Sequence, residues 1–420
     1  MAVADHHPLS PDVLECPFPF YKELHAEAPV YFPPGVPMAM VSTYELIQEV
    51  VHDPATYSSA IPTGPVDLVR SDEDLDPELR ELRREALKQP ATLLSADPPW
   101  HSRYRSIVNK AFAARRVNGM EGYVREIVTN VIDEFIDDGK VELVTQFADT
   151  LPMAVIADQI GVPRDQLKEF KARSDVAIGG IDTQTPPDQE LAKARAAIEL
   201  QRYFIARAED RRKEPKDDML TVLATSMLET DDGPRLLNDG EILSILQQFQ
   251  VAGKETTAHS IGMTMQLLVQ NPEQMARVKA DPSLIPNLIE EGLRVETPVR
   301  ALFRVTTKET VLGGVPLNKG QVLMLVFAAA NRDENEFADS GAFDVCRDNA
   351  KSHLAFSAGP HYCVGSALAR LELRVAFEEL TRRLDNIRVD PAYNQNPPHT
   401  PSYILRGLKE LHLLFDKAPV

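Results

Sequence analysis

One stretch governs what this chain can fold into. Between Asn238 and Gln270, Ile242, Ile245, Leu246 and Phe249 recur at spacings of three and four, and no charge falls from Ile242 to Gly253. That periodicity predicts an α-helix. Asn238 with Glu241 three residues on has the form of a capping box, and Asn271-Pro272 predicts the helix end. About 32 residues at 1.5 Å each span about 48 Å, enough to cross a large domain. The chain's 420 residues allow one, as a single large domain or two smaller ones.

The rest of the pattern agrees. From about residue 100 to 290 it is mainly helical, with Val124, Ile127, Val128, Val131, Ile132 and Phe135 forming an amphipathic stripe. Strand-like runs are short and late: Thr310–Val315 with a turn, Gln321–Phe327, and a pair at Tyr403–Leu408 and Leu411–Phe415 that suggests a C-terminal hairpin. The sum is mainly α with a minor β part, and no linker divides it. The charged run from Ser71 to Lys88 reads as an exposed helix or lid-like insertion.

With 63 acidic and 45 basic residues the formal charge is −18, which argues against general nucleic-acid binding. No run of about 18 apolar residues occurs, so no membrane anchor is expected. The start, Met1-Ala-Val-Ala-Asp, has no secretory pattern, so a cytoplasmic location is expected. Three cysteines, Cys16, Cys346 and Cys363, exclude a disulfide scaffold and suit a reducing compartment. Cys16 and Cys346 read as structural.

Cys363 stands in Phe356-Ser-Ala-Gly359-Pro-His361-Tyr-Cys363-Val-Gly365. A short strand-like piece, His353–Phe356, enters a Gly-Pro turn, and a periodic helix follows. A cysteine at a helix N-terminus is favoured as thiolate by the dipole and free N–H groups. Gly359 and Gly365 would let backbone approach a flat cofactor, and His361 could reach an anion. A lone cysteine is more often a small buried hydrophobe; here the spacing around it removes that advantage. The stretch resembles the haem-binding loop of the cytochrome P-450 superfamily, Phe-Gly-x-Gly-x-His-x-Cys-x-Gly. Ser357 replaces the first glycine, a change tolerated if the backbone there needs no positive φ.

Further motifs carry the same resemblance. Ala252-Gly253-Lys254-Glu255-Thr256 is similar to the family's oxygen-activation signature, with Lys254 unusual at its variable position. Gly253 and Thr256 are poor helix formers, expected to weaken the ladder and open a groove. Glu291-Gly-Leu-Arg294 matches the family's structural Glu-x-x-Arg, with Arg347 in Phe343–Arg347 as its third member, and Ala330-Asn331-Arg332-Asp333 matches a stretch common in bacterial members. His101 and Arg105, four apart on one helix face, could grip a carboxylate; with Arg304 and His361 they match haem-propionate positions.

The resemblance implies a triangular, helix-rich single haem-thiolate domain over 1–420, with no fused reductase or ferredoxin. It implies haem b on Cys363, cradled by His101, Arg105, Ala252, Gly253, Arg304, Phe356, Gly359, His361 and Gly365. Thr256 would hydrogen-bond the oxygen species and Glu255 would help relay protons. The implied activity inserts one oxygen atom of O2 into a lipophilic small molecule. Electrons would come from a separate ferredoxin and an NAD(P)H-dependent reductase. A monomer is expected.

The pocket would draw on Ser58–Leu94, Val176–Gln184, Gln247–Ala252, Val299–Phe303 and Ser402–Leu405. Arg300 and Arg70 there would either meet a polar substrate group or point to solvent. Arg103, Lys110, Arg115, Arg116, Arg347 and Lys351 would form a basic docking patch. A peroxide-driven oxygenase, a coupling or dehydrogenating member, a non-turning haem-thiolate sensor and a haem-free helical protein are the rival readings. The acid–threonine pair favours the dioxygen-using enzyme.

Overall fold

The uncharged stretch is one helix of 32 residues, Asp239–Gln270, called the central helix below. Its start is the expected capping box: the Glu241 N–H donates to Asn238 Oδ1 at 2.9 Å, and the Asn238 N–H donates to Glu241 Oε2 at 2.8 Å. Arg235 and Tyr104 also donate to the Glu241 carboxylate, each at 2.8 Å. Burial pushes that carboxyl's pKa up, but Arg235, the Asn238 N–H and Tyr104 outweigh burial and hold it below its ordinary value. The helix is continuous through Gly253 and Thr256, so the expected weakening of its ladder does not break it. Gly253 packs closely on Ile156.

The computed structural model describes residues 6–61, 76–178 and 187–419. It divides into two compact units: Met1–Ser58, Ala114–Pro152 and Lys254–Val420 in the first; Ser59–Ala113 and Met153–Gly253 in the second. The boundary falls inside the central helix, between Gly253 and Lys254.

The first unit holds most of the β-structure. Its main sheet has five strands in the order Val30–Tyr31, Met38–Val41, Val322–Leu325, Leu302–Thr306, Tyr57–Ser58. Val322–Leu325 runs parallel to Met38–Val41 and antiparallel to Leu302–Thr306. Leu323 and Leu325 join one apolar cluster with Val41, Ile47 and Phe327, while Met324 joins another with Phe20, Leu24 and Ala301. Both sheet faces are covered, so this strand reads as an unbroken apolar run rather than an alternation. The run expected to Phe327 ends at Leu325, and a short helix Phe327–Ala330 follows. Thr310–Leu312 and Val315–Leu317 form the expected turn-linked pair.

The expected C-terminal hairpin does not form. His412–Lys417 lies between Leu384–Val389 and Lys140–Glu142, so both its edges are taken. The segment at 403–408 meets residues 298–300 instead: the Arg300 N–H donates to the Ile404 carbonyl at 2.7 Å and the Arg406 N–H to Pro298 at 2.9 Å.

The second unit is built on helices, with one two-stranded pair, Met227–Leu228 and Arg235–Leu236, among its described residues. The charged run after Asp76 forms the helix Pro77–Glu85, which Glu78–Arg195 and Glu85–Arg202 ion pairs fasten to the helix Pro187–Lys213. It is exposed, as expected, but docked. Arg70, residues 71–75 and residues 179–184 lie outside the described residues. No helix among the described residues is long and apolar enough to cross a membrane.

Candidate active site

In the first unit, Cys363 is half-buried and lies two residues before Gly365, the cap of the helix Ser366–Arg383. The residues before it form turns, not the expected strand-like entry. Their shape comes from backbone hydrogen bonds: Cys363 N–H to Phe356 O at 2.9 Å, Ser357 N–H to Leu354 O at 2.8 Å, and Tyr362 N–H to Gly359 O at 3.0 Å.

Two loop positions differ from expectation. Ser357 has φ +57°, so the backbone does require the left-handed region that the first glycine of the motif would supply. Its buried hydroxyl has no hydrogen-bond partner among the described residues. Gly359 has φ +64°, and a Cβ there would lie 2.5 Å from the Val51 carbonyl oxygen. The glycine is thus required by the protein's own backbone. Gly365, at φ −83°, carries no such demand.

The loop is fixed from behind by two ionic networks. Arg294 and Glu291, both 0% exposed, form a bidentate pair at 2.7 and 2.8 Å. Arg294 also donates to the carbonyls of Asn331, Ser340 and Ala342 at 2.7 to 2.9 Å. Arg347 joins through Glu291 at 3.0 Å, making the three-member network the sequence motif implied. Asn331, from the stretch matching bacterial members, accepts the Leu354 N–H at 2.6 Å and donates to Thr297 Oγ1 at 2.8 Å. It therefore ties the Glu-x-x-Arg helix, Ile285–Val295, to the entry of the cysteine loop.

The second network was not read from the sequence. Glu290 receives Arg370 at 2.6 and 2.9 Å and lies 3.1 Å from His353 Nε2. Arg370 lies over the Phe356 ring at 4.5 Å and donates to Tyr362 Oη at 3.0 Å. Burial raises the Glu290 carboxyl's pKa, but Arg370 and His353 overcome it and hold the pKa at about 2. Only the adjacency of Glu290 and Glu291 hinted at this: neighbours on a helix face different ways and so serve different networks.

Other predicted residues fall as follows. Arg304 is buried on Leu302–Thr306 and donates to Phe303 O at 2.7 Å. Half-buried His361 is in the short helix Gly359–His361, and half-buried Phe356 precedes it. Glu255 and Thr256 are half-buried on the central helix, where Ser260 Oγ donates to Thr256 O at 2.7 Å. In the second unit, Ala252 is exposed, His101 is buried in the helix Trp100–Ala111, and Arg105 donates from Nε to Asn109 at 2.9 Å.

Arg300 is buried and donates to the Leu14 carbonyl, so it does not point to solvent. Arg347 is occupied in the Glu291 network, and Arg103 pairs with Asp231 and lies over Trp100 at 4.7 Å. Neither is the open docking charge expected. Cys16 and Cys346 are exposed, which removes the reading of them as structural.

The donor set bears on what Cys363 could ligate. Among the described residues, no cluster of three His, Cys, Asp or Glu could hold a bare ion. One thiolate in a fixed turn fits an iron that brings its equatorial ligands in a macrocycle.

Comparison with known proteins agrees. The family model described as Cytochrome P450 matches residues 185–414. Cytochrome P450 107B1 of Saccharopolyspora erythraea is 33% identical over 381 residues, 90% of this chain and 89% of that protein. The steroid C26-monooxygenase of Mycobacterium tuberculosis is 32% identical over 401 residues, 95% of this chain and 94% of its own. The crystal structure of CYP109E1 from Bacillus megaterium in complex with corticosterone superposes with a TM-score of 0.82 at 28% identity, covering 96% of this chain and 99% of that one. In fold, motif and sequence the chain belongs to the cytochrome P450 family and is a haem-dependent monooxygenase.

Proposed function

We propose that this protein uses haem b and O2 to hydroxylate, or similarly oxidise, a lipophilic substrate of steroid-like size. The observation that carries this reading is the cysteine loop: a half-buried thiol at the start of a helix, its backbone fixed by hydrogen bonds and backed by two ionic networks. When bound, the haem supplies iron on which oxygen is activated.

The chain's residues do the rest. Cys363 would hold the iron as thiolate, in the loop that Phe356, Gly359 and Gly365 shape. By the family's motif positions, His361 and Arg304 of the first unit, and His101 and Arg105 of the second, would be the partners of the two propionates. Ala252 and Gly253 match the family's positions beside the cofactor, while the open side of Gly253 meets Ile156. Glu255 takes protons from water and Thr256 hands them on as a hydroxyl donor. In the first unit, half-buried Leu302 and Ile404 offer apolar surface for the substrate, whereas Phe303, the next residue on the strand, packs on the opposite face. The similarity to a steroid C26-monooxygenase and to a corticosterone-bound structure supports a steroid-sized ligand.

In this reading the chain is one haem domain, a cytoplasmic monomer. A ferredoxin, reduced by an NAD(P)H-dependent reductase, delivers electrons. Exposed Lys110, Arg115 and Lys351 are its docking candidates. Arg115→Glu with Lys351→Glu should slow electron transfer and flatten its salt dependence.

The carbon monoxide difference spectrum of the reduced protein tests the core of the proposal. A thiolate-type Soret band is expected, lost in Cys363→Ser; its absence from the parent protein would overturn the reading. Titration with testosterone and corticosterone should shift the ferric spectrum from low to high spin. No shift with either removes the steroid assignment while leaving the haem assignment standing.

A further inference from the structure

Gly407 meets the central helix at His259. A side chain at Gly407 would overlap Cγ, Cδ2 and Nε2 of the imidazole. The ring therefore fills the space that any larger residue at 407 would need.

Gly407 is held firmly in place. Its carbonyl accepts the Thr400 N–H at 2.9 Å, and the Arg406 N–H beside it donates to Pro298 O at 2.9 Å. The Arg406 guanidinium is buried. It donates to Glu296 at 2.6 Å and to the Glu15 carbonyl at 2.9 Å, and lies over the Phe18 ring at 4.9 Å. Arg332 lies over the same ring at 3.6 Å and sits 3.9 Å from Glu296. Glu15 also accepts the His399 N–H at 3.2 Å. The N-terminal arm, the Glu296 carboxylate and residues 399–407 thus form one clamp within the first unit.

His259 stands three residues after Thr256 and four after Glu255, so it neighbours each of them along the helix, although Glu255 and Thr256 themselves face different ways. Its buried Nδ1 has no hydrogen-bond partner among the described residues. Burial, and secondarily the charge of Lys254, hold its pKa down at about 4, so the ring is neutral near pH 7.

We infer that His259, wedged against Gly407, is a positioning residue that sets the helical turn carrying Glu255 and Thr256, with the Arg406 clamp as its backing. The inference rests on the proposed reading of Glu255 and Thr256 as the proton-moving pair. A close-packed interior passes on a displacement rather than absorbing it, so moving the ring moves that turn.

Gly407→Ala in the haem-loaded enzyme tests this through hydrogen exchange and coupling. Amide exchange over residues 255–260 should accelerate roughly tenfold, and product formed per NAD(P)H should fall several-fold. With the ring removed by His259→Ala, the added methyl has room. Gly407→Ala should then cause no further change in that background.

Unchanged exchange in Gly407→Ala overturns the inference. So does faster exchange with intact coupling, or equal damage with and without the ring. If Gly407→Ala does not fold, His259→Asn, which only removes volume, carries the same two measurements. If Thr256→Ala itself leaves coupling intact, the proton reading fails, and the exchange measurement alone decides whether the contact sets the turn.

Discussion

The cysteine loop and the acid–threonine turn are held by opposite means. Behind the loop, Glu291, Arg294 and Arg347 form one buried network and Glu290, His353 and Arg370 another, with backbone carbonyls as further acceptors. The turn Ala252–Thr257 has the helix ladder, and Ser260 Oγ donates to Thr256 O at 2.7 Å one turn on. A metal ligand gains from a position that does not move. For the residues proposed to pass protons, packing of the kind seen at His259 sets the position without any buried charge network. Anchoring by ionic networks fixes geometry at a large folding cost if broken, whereas anchoring by packing fails in smaller steps.

The sharpest way to break the contrast is Arg294→Ala. It leaves Glu291 buried with Arg347 as its remaining cationic partner and strips three buried carbonyls of their donor, and loss of one partner of a buried pair costs about 3–5 kcal/mol. Denaturant unfolding of the haem-loaded protein should show it; a cost below about 1 kcal/mol would mean the network is not what holds the loop.

Thr256→Ala should instead leave stability nearly untouched. Product per NAD(P)H is expected to fall by about tenfold or more, as for loss of a general acid–base group. Ser357→Gly acts in the opposite sense. Relief of the left-handed backbone should stabilise the fold by about 1 kcal/mol, offset in part by glycine's greater entropy loss; a lower Tm would contradict the φ of +57°.

The remaining effects are those of pH. Two buried glutamates respond with opposite signs. Glu290 titrates at about 2 in the folded chain against an ordinary 4.5. Its stabilising contribution is present above about pH 4.5 and is lost as pH falls towards 2. Glu372 is fully buried with one oxygen unpartnered among the described residues, and burial lifts its pKa to about 8. Its neutral form is the one the fold favours, so its contribution is present below about pH 4.5 and is lost as pH rises through 8. Glu372→Gln should flatten the alkaline decline in Tm and leave the acid limb, which Glu290→Gln would flatten, unchanged.

Much of the site was legible in the residues. The capping box at Asn238 and Glu241, the extent of the central helix, and the grouping of Glu291, Arg294 and Arg347 all follow from short spacings or a strict motif. What failed did so where partners are remote. The segment 403–408 reads as a strand, yet its mates are residues 298–300 rather than 412–417, because two other strands already flank the latter. Arg347 reads both as the third member of that network and as part of a docking patch, and its pairing with Glu291, 56 residues away, leaves only the first role. Ser357 satisfies the motif with one substitution, while its left-handed backbone belongs to a turn tied through Leu354 to Asn331 and Thr297.

The sequence by itself therefore determined the family, the thiolate candidate and the long helix, because periodicity, capping and motif spacing act over a few residues. The tertiary structure alone decided which charges are buried. It assigned Arg300 to the Leu14 carbonyl and set Phe18 beneath Arg332 and Arg406. It also brought Gly407 against His259, 148 residues away along the chain. The physical reason is that burial, left-handed backbone and orphaned polar atoms are properties of surroundings assembled from distant segments, and no local pattern encodes them.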